Sequence, residues 1–205
     1  MKKFIVIILI SFCIYTSCDS NYKVRGIKEL NNCNFQKAIE LLSKAKESDS
    51  TNFEISFNLG HAHYLINDYK TAITYYLRAQ KLDPDTNFNA LLYETYFLAG
   101  EKYMVSYEEY AIDCFTKVLN YDPKDTASLI NRAISYSSSK NYDNSIKDCN
   151  KALLLDSTDG NIYYIRGVAF IELGDTLKGC HDLKIAKRLK SELAGVEYKK
   201  CCSDN

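Results

Sequence analysis

The chain has 205 residues, of which 46% are hydrophobic, enough to bury the core of one elongated domain. Its 26 lysines and arginines balance its 26 aspartates and glutamates, so the sequence offers neither a basic field for nucleic acid nor an acidic tail. With two prolines and eight glycines, the composition favours helices over a β-sandwich or a β-barrel.

The N-terminal segment differs from the rest of the chain. Two lysines precede an uninterrupted apolar run over residues 4–10, and polar and small residues arrive at Tyr15-Thr16-Ser17, directly before Cys18. This order is typical of an export signal, predicted over residues 1–17, and the apolar run is too short to span a bilayer. A cysteine after two small residues resembles a bacterial lipoprotein signal, in the looser form familiar from Bacteroidetes-type bacteria. The resemblance implies a lipid anchor on Cys18 and a location at the membrane of the cell envelope; the alternative is an ordinary cleaved signal with an incidental cysteine.

After this signal, small residues recur with a period of 34. Four stretches carry them at the same three places: Gly26, Ala38 and Ala45; Gly60, Ala72 and Ala79; Ala133, Ser145 and Ala152; Gly167, Gly179 and Ala186. The period divides the chain into units 19–52, 53–86, 126–159 and 160–193, with a longer unit over 87–125. It predicts helix pairs that stack in a row, each burying its apolar face against its neighbours.

Glycine in the middle of a helix costs roughly 1 kcal/mol relative to alanine. The repeated glycines therefore predict that two helix backbones approach each other closely in each pair, with Ala38, Ala72, Ser145 and Gly179 facing them.

The second unit resembles a tetratricopeptide repeat over its whole length. The residues that carry the resemblance are Leu59-Gly60, Asp68-Tyr69, Ala72, Tyr76, Ala79 and Leu82-Asp83-Pro84. The units 19–52, 126–159 and 160–193 repeat the same pattern. The resemblance implies an all-α fold, a right-handed superhelical solenoid of helix-turn-helix repeats over residues 18–193 with a C-terminal cap within 194–205.

The period changes at two places. Pro84 and Pro123 are 39 residues apart, five more than the period, and a first helix lengthened at one end is the simplest explanation. No binding residues are assigned to this middle unit. At the C-terminus, residues 192–200 are predicted to form the capping helix, with three partly packed side chains: Leu193, Val196 and Tyr198.

In tetratricopeptide arrays the first helix of each pair lines the concave face. Carrying these positions over predicts a partner-binding groove lined by Phe57, His61, Tyr64, Ile130, Ile134, Tyr164 and Val168, with Lys23, Ile27, Leu30, Ser137 and Ile171 at equivalent places. Such an apolar and aromatic lining favours a peptide or helix of another protein as the ligand. The alternative is that some of these residues pack against neighbouring helices, because groove and core positions differ by only about 100° of helix rotation. A Lys-Asn-Arg clamp for acidic C-termini, known from one subgroup of the family, is not expected because Ile27 stands where its asparagine would be.

The cysteines of the mature chain contain no CxxC pair, and their spacing does not match a zinc site, so no metal and no cofactor is predicted. Cys114 and Cys149 occupy core-facing positions. Cys180 is a candidate for a disulfide with Cys201 or Cys202, and the sequence leaves the pairing open.

Catalysis has little support in the sequence. His61 and His63 point about 200° apart on a helix and cannot share a metal ion. No nucleophile elbow, phosphate loop or zinc-protease motif is present, and the acidic residues are expected singly on solvent faces. The sequence therefore predicts a protein that is not an enzyme.

Two hypotheses for the function remain. The first is a membrane-tethered module that holds a segment of another envelope protein. The second is an assembly subunit that acts through self-association or its convex face.

Overall fold

The computed structural model describes residues 21–202, so the predicted signal and Cys18 lie outside the described residues. Within this range the chain forms eleven helices and no strand, which confirms the all-α prediction. The helices are α1 (21–31), α2 (Phe35–Ser48), α3 (Phe53–Leu65), α4 (Tyr69–Leu82), α5 (Asn89–Tyr103), α6 (Glu108–Tyr121), α7 (Thr126–Ser138), α8 (Tyr142–Leu155), α9 (Gly160–Glu172), α10 (Thr176–Arg188) and α11 (Ala194–Cys202).

The chain divides into two compact units, and the boundary lies inside α5, between Thr95 and Tyr96. In the first unit α3 packs against both α2 and α4. In the second unit each helix from α6 to α11 packs against the next, and α9 also contacts α7 and α11. Each unit is thus a row of helix pairs with its own core.

Two kinds of connection alternate along the chain. In every pair except α5–α6, a residue with positive φ follows the first helix: Cys33, Asn67, Lys140 or Gly174. After α3, for example, the backbone N–H of Asp68 donates to the carbonyl of His63 (2.8 Å), which closes a Schellman cap. Between pairs, the second helix ends at an aspartate with more extended backbone: Asp49, Asp83, Asp122 or Asp156.

The end of α10 breaks this alternation. Lys190 has a φ of 63°, and the N–H of Ser191 donates to the carbonyl of Ala186 (3.0 Å), as in a turn within a pair. The chain therefore folds back at once, and α11 covers α10. The expected packing of this cap is confirmed for Tyr198, which is partly buried, and wrong for Leu193 and Val196, which are 62% and 72% exposed. Ala194 and Cys202 are buried instead.

The five extra residues of the middle unit lie at three places. The connection 83–88 is two residues longer than 122–125, α5 has 15 residues where α3 has 13, and the turn 104–107 is one residue longer than 139–141. Gly100 follows Asn89 by eleven residues, whereas Gly60 follows Phe53 by seven, so α5 is extended at its N-terminal end. The lengthened helix is therefore only part of the explanation.

The repeated glycines make room for different groups. A Cβ on Gly60 would lie 2.6 Å from the ring of Tyr76, and one on Gly26 would lie 2.7 Å from the side chain of Leu42. For Gly167 and Gly179 the nearest obstacles include a backbone carbonyl, because a Cβ on Gly179 would lie 2.7 Å from the carbonyl oxygen of Gly167, and one on Gly167 would lie 3.0 Å from that of Gly179. The expected close approach of two backbones thus holds for the last pair, while the earlier glycines accommodate a bulky core side chain.

Candidate protein-binding surface

Four of the predicted groove residues lie together in the second unit. Ile130 and Ile134 come from α7, Tyr164 and Val168 come from α9, and together they line a groove of about 420 Å³. In each helix the two residues are four positions apart, so they stand one turn above each other on one face. All four are partly exposed. Burial raises the pKa of Tyr164, so its hydroxyl stays protonated.

The segment between α10 and α11 closes one edge of this groove. Leu193 contributes an exposed apolar side chain to the lining. Ser191 donates its hydroxyl to the side-chain oxygen of Asn161 (2.9 Å), which ties the segment to the start of α9. Asp159 lies at the same edge and caps α9 by accepting the backbone N–H of Asn161 (2.8 Å).

The remaining three predicted residues form an aromatic row in the first unit. The rings of Phe57, His61 and Tyr64 stack along α3 at centroid distances of 6.2 Å, and Phe57 also contacts Phe88. Burial lowers the pKa of His61 and thereby favours a neutral imidazole.

Tyr64 stands at the end of this aromatic row. It donates its hydroxyl to Glu94 (2.8 Å), and burial together with this hydrogen bond raises the pKa of Tyr64 to about 12. The row is thus held by contacts inside the unit.

Several residues at equivalent positions do not line a groove. Leu30 is only 6% exposed and belongs to the core with Leu42 and Leu59. Ile171 fills the space beside Gly179. Lys23 forms an ion pair with Glu54 of α3. For Leu30 the assignment to the groove was wrong, because a small rotation of the helix turns such a position into the core.

Two buried ion pairs in the second unit were not predicted from the sequence. Arg132 of α7 binds the carboxylate of Asp148 through two N–H groups (2.7 and 2.8 Å), and Arg166 of α9 binds Asp182 in the same way (2.7 and 3.0 Å). The two aspartates are 3% and 2% exposed, so the expectation that acidic residues lie on solvent faces was wrong for them.

Each arginine joins three helices. Arg132 also donates to Thr116 of α6 (2.9 Å), and Arg166 donates to Asn150 of α8 (2.6 Å). Burial alone would lower the pKa of Arg132, but hydrogen bonding to Asp148 and its charge outweigh burial and raise it. The signal in the sequence was an arginine followed by an aspartate sixteen residues later, repeated after 34 residues.

The cysteines fall into two groups. Cys114 and Cys149 are fully buried, as expected, and burial raises the pKa of each thiol to about 12, which keeps both protonated and unreactive. Cys180 of α10 is joined to Cys202 of α11 by a disulfide, while Cys201 lies 3.3 Å from the carboxylate of Glu197. This bond links the last helix pair to the capping helix.

Residues 21–202 contain no group of three or more His, Cys, Asp or Glu side chains placed to hold a metal ion. None of the helices in this part of the chain has the length and apolarity needed to cross a membrane.

The sequence matches the tetratricopeptide repeat family over residues 54–86 and again over residues 126–159. Two segments of the chain are therefore similar to tetratricopeptide repeats. These matches coincide with the predicted second and fourth units to within one residue.

Solved structures with the same fold cover most of the chain. YrrB, described as a tetratricopeptide protein with an unusual peptide-binding site, is 14% identical with a TM-score of 0.58, and the match covers 91% of this chain and 97% of YrrB. A crystal structure of MamA is 20% identical with a TM-score of 0.55, covering 87% of this chain and 95% of MamA. At these identities the similarity shows the fold alone. No curated protein matches the sequence.

Proposed function

We propose that this protein is a non-enzymatic interaction module, and that the groove of the second unit holds an apolar segment of a partner protein. The observation that carries the proposal is the convergence of Ile130, Ile134, Tyr164 and Val168 on one groove. Tetratricopeptide repeats bind proteins or peptides, and the solved structure of YrrB is described as having a peptide-binding site.

The size of the groove sets the class of ligand. At about 420 Å³ it is at the lower end of the range for binding sites in proteins, and it has room for a few side chains rather than a folded domain. Because five aliphatic residues and one tyrosine make up most of the lining, the energy of binding comes mainly from burying apolar side chains of the partner.

Substitution of the lining tests the groove. We expect the Ile134→Ala and Tyr164→Ala double variant to retain partner proteins captured from the producing cells about tenfold less than the unchanged protein. The matched control is Val105→Ala, since Val105 in the turn between α5 and α6 is 83% exposed and lies outside the groove lining. Equal retention by the double variant and the unchanged protein would contradict the proposal.

Assembly through self-association is the second candidate function. Leu154 of α8 and Leu177 of α10 are 87% and 83% exposed, and both belong to the second helices of their pairs. If these side chains mediate assembly, Leu154→Ala combined with Leu177→Ala abolishes a concentration-dependent oligomer in sedimentation experiments. A monomer at all concentrations would exclude this function.

We further propose that a lipid on Cys18 tethers the protein to a membrane of the cell envelope. The support is the order of charged, apolar and small residues over 1–18. Mass spectrometry of the mature N-terminus tests the anchor: a diacylglyceryl-modified Cys18 is expected, and an unmodified start further along the chain would disprove it.

A further inference from the structure

One carboxylate lies at the edge of the groove, whose lining is mostly apolar and otherwise holds only the uncharged polar residues Ser137, Ser138 and Asn161. Asp159 shares the lining with Tyr164, Val168 and Leu193, and no lysine or arginine takes part in it. We propose that the groove selects partner segments in which a lysine or arginine stands beside apolar side chains, with Asp159 binding the cation. This inference rests on the proposed function of the groove.

The surroundings of Asp159 leave its charge available. Its oxygen Oδ1 accepts the backbone N–H of Asn161, as expected for a helix cap, and it forms no ion pair with any residue in the described range 21–202. Asp159 also lines an adjoining cavity of about 460 Å³ with Lys190 and Glu192. The opposite charges of these two residues balance, so the edge keeps one net negative charge.

Charge complementarity therefore decides between possible ligands. A cationic side chain beside the buried apolar residues of the partner gains an ion pair with Asp159, whereas an acidic side chain at the same place is repelled. An exposed pair of this kind changes affinity by about two- to fivefold, and the effect decreases with added salt. This preference is the reverse of that of a clamp for acidic C-termini.

The experiment uses three pools of short synthetic peptides with identical apolar content. The pools differ only in carrying a lysine, a glutamine or a glutamate beside the apolar residues. Binding to the full chain is measured by fluorescence anisotropy at low and high salt. We expect the lysine pool to bind about two- to fivefold more tightly than the glutamine pool at low salt, and the glutamate pool to bind weakest.

A conservative variant isolates the charge. Asp159→Asn keeps a good helix cap and removes the carboxylate, so the preference for lysine should disappear while binding of the glutamine pool is retained. The matched control is Asp125→Asn, since Asp125 caps α7 in the same way and lies outside the groove lining. This control should keep the preference.

The outcomes separate the two proposals. Equal binding of all three pools, or tightest binding of the glutamate pool, overturns the charge preference but leaves the apolar groove as a binding site. Binding that persists unchanged in the Ile134→Ala and Tyr164→Ala double variant, or no binding of any pool, overturns both.

Discussion

At two equivalent positions of the repeat, the first unit has uncharged side chains and the second unit has a pair of charged ones. In the first unit Leu59 and Tyr75 stand where the second unit has Arg132 and Asp148. Tyr75 stacks on His63 and lies under the ammonium group of Lys46, whereas Asp148 is buried and bound by the guanidinium group of Arg132. The repeat thus fixes where the helices lie. The two equivalent positions between them accept either an aromatic ring or a buried ion pair.

The largest effect is expected from breaking one of the buried ion pairs. Asp148→Ala removes the two carboxylate oxygens that accept from Arg132 and leaves only the hydroxyl of Thr116. Because the side chain of Arg132 is only 13% exposed, the change should lower the free energy of unfolding by about 3 kcal/mol. Urea unfolding followed by circular dichroism measures it.

A swap between the units sharpens this test. The double variant Arg132→Leu with Asp148→Tyr introduces the residues of the first unit, leaves no unpaired charge, and should recover at least half of the loss. If the double variant is no more stable than Asp148→Ala, the two units are not interchangeable in this way.

The units also differ in covalent closure. The first unit has Cys33 alone among its described residues, whereas the second has a disulfide between Cys180 and Cys202, 22 residues apart. Cys202→Ser should lower the free energy of unfolding by about 2–3 kcal/mol, because the open chain gains entropy when unfolded.

The matched control for this loss is Cys201→Ser, which leaves the disulfide intact and should change stability little. A reducing agent should destabilise the unchanged protein as much as Cys202→Ser does, and should have no further effect on that variant. Equal stability of Cys202→Ser and the unchanged protein would show that packing alone holds α11.

Glycine substitutions test how tightly the helices are packed at Gly60 of the first unit and at Gly195 of the second. Gly60→Ala brings a Cβ to 2.6 Å from the buried ring of Tyr76, and the strain should exceed the gain in helix propensity, for a net loss of about 1–2 kcal/mol. Gly195→Ala in α11 meets no atom within 4 Å and should be neutral or stabilising. Thermal unfolding of both variants tests this order; a destabilised Gly195→Ala with an unaffected Gly60→Ala would reverse it.

The sequence was sufficient for those features that depend on one helix at a time. The period of 34 placed the helix pairs, and the resemblance to tetratricopeptide repeats supplied Ile130, Ile134, Tyr164 and Val168 as lining positions on their own helices. Features that depend on which sides of two helices face each other could not be predicted from the sequence.

Leu30 shows why rotation matters, because a groove position and a core position are neighbours on the helix surface. The ion pair of Arg132 and Asp148 shows that the burial of charged residues also depends on how two helices face each other. Each residue alone is typical of a solvent face, and only their meeting across two helices makes burial favourable.

The smallest effect concerns the aromatic row of the first unit. Burial lowers the pKa of His61 from its ordinary value of 6.5, so the folded protein binds fewer protons there than the unfolded chain. Stability should therefore decrease as the pH falls below 6.5, until His61 is protonated in both states. His61→Gln should show a weaker decrease over this range in urea unfolding. A pH dependence that His61→Gln leaves unaltered would place the titrating group elsewhere, and the aromatic row would then contribute only through its packing.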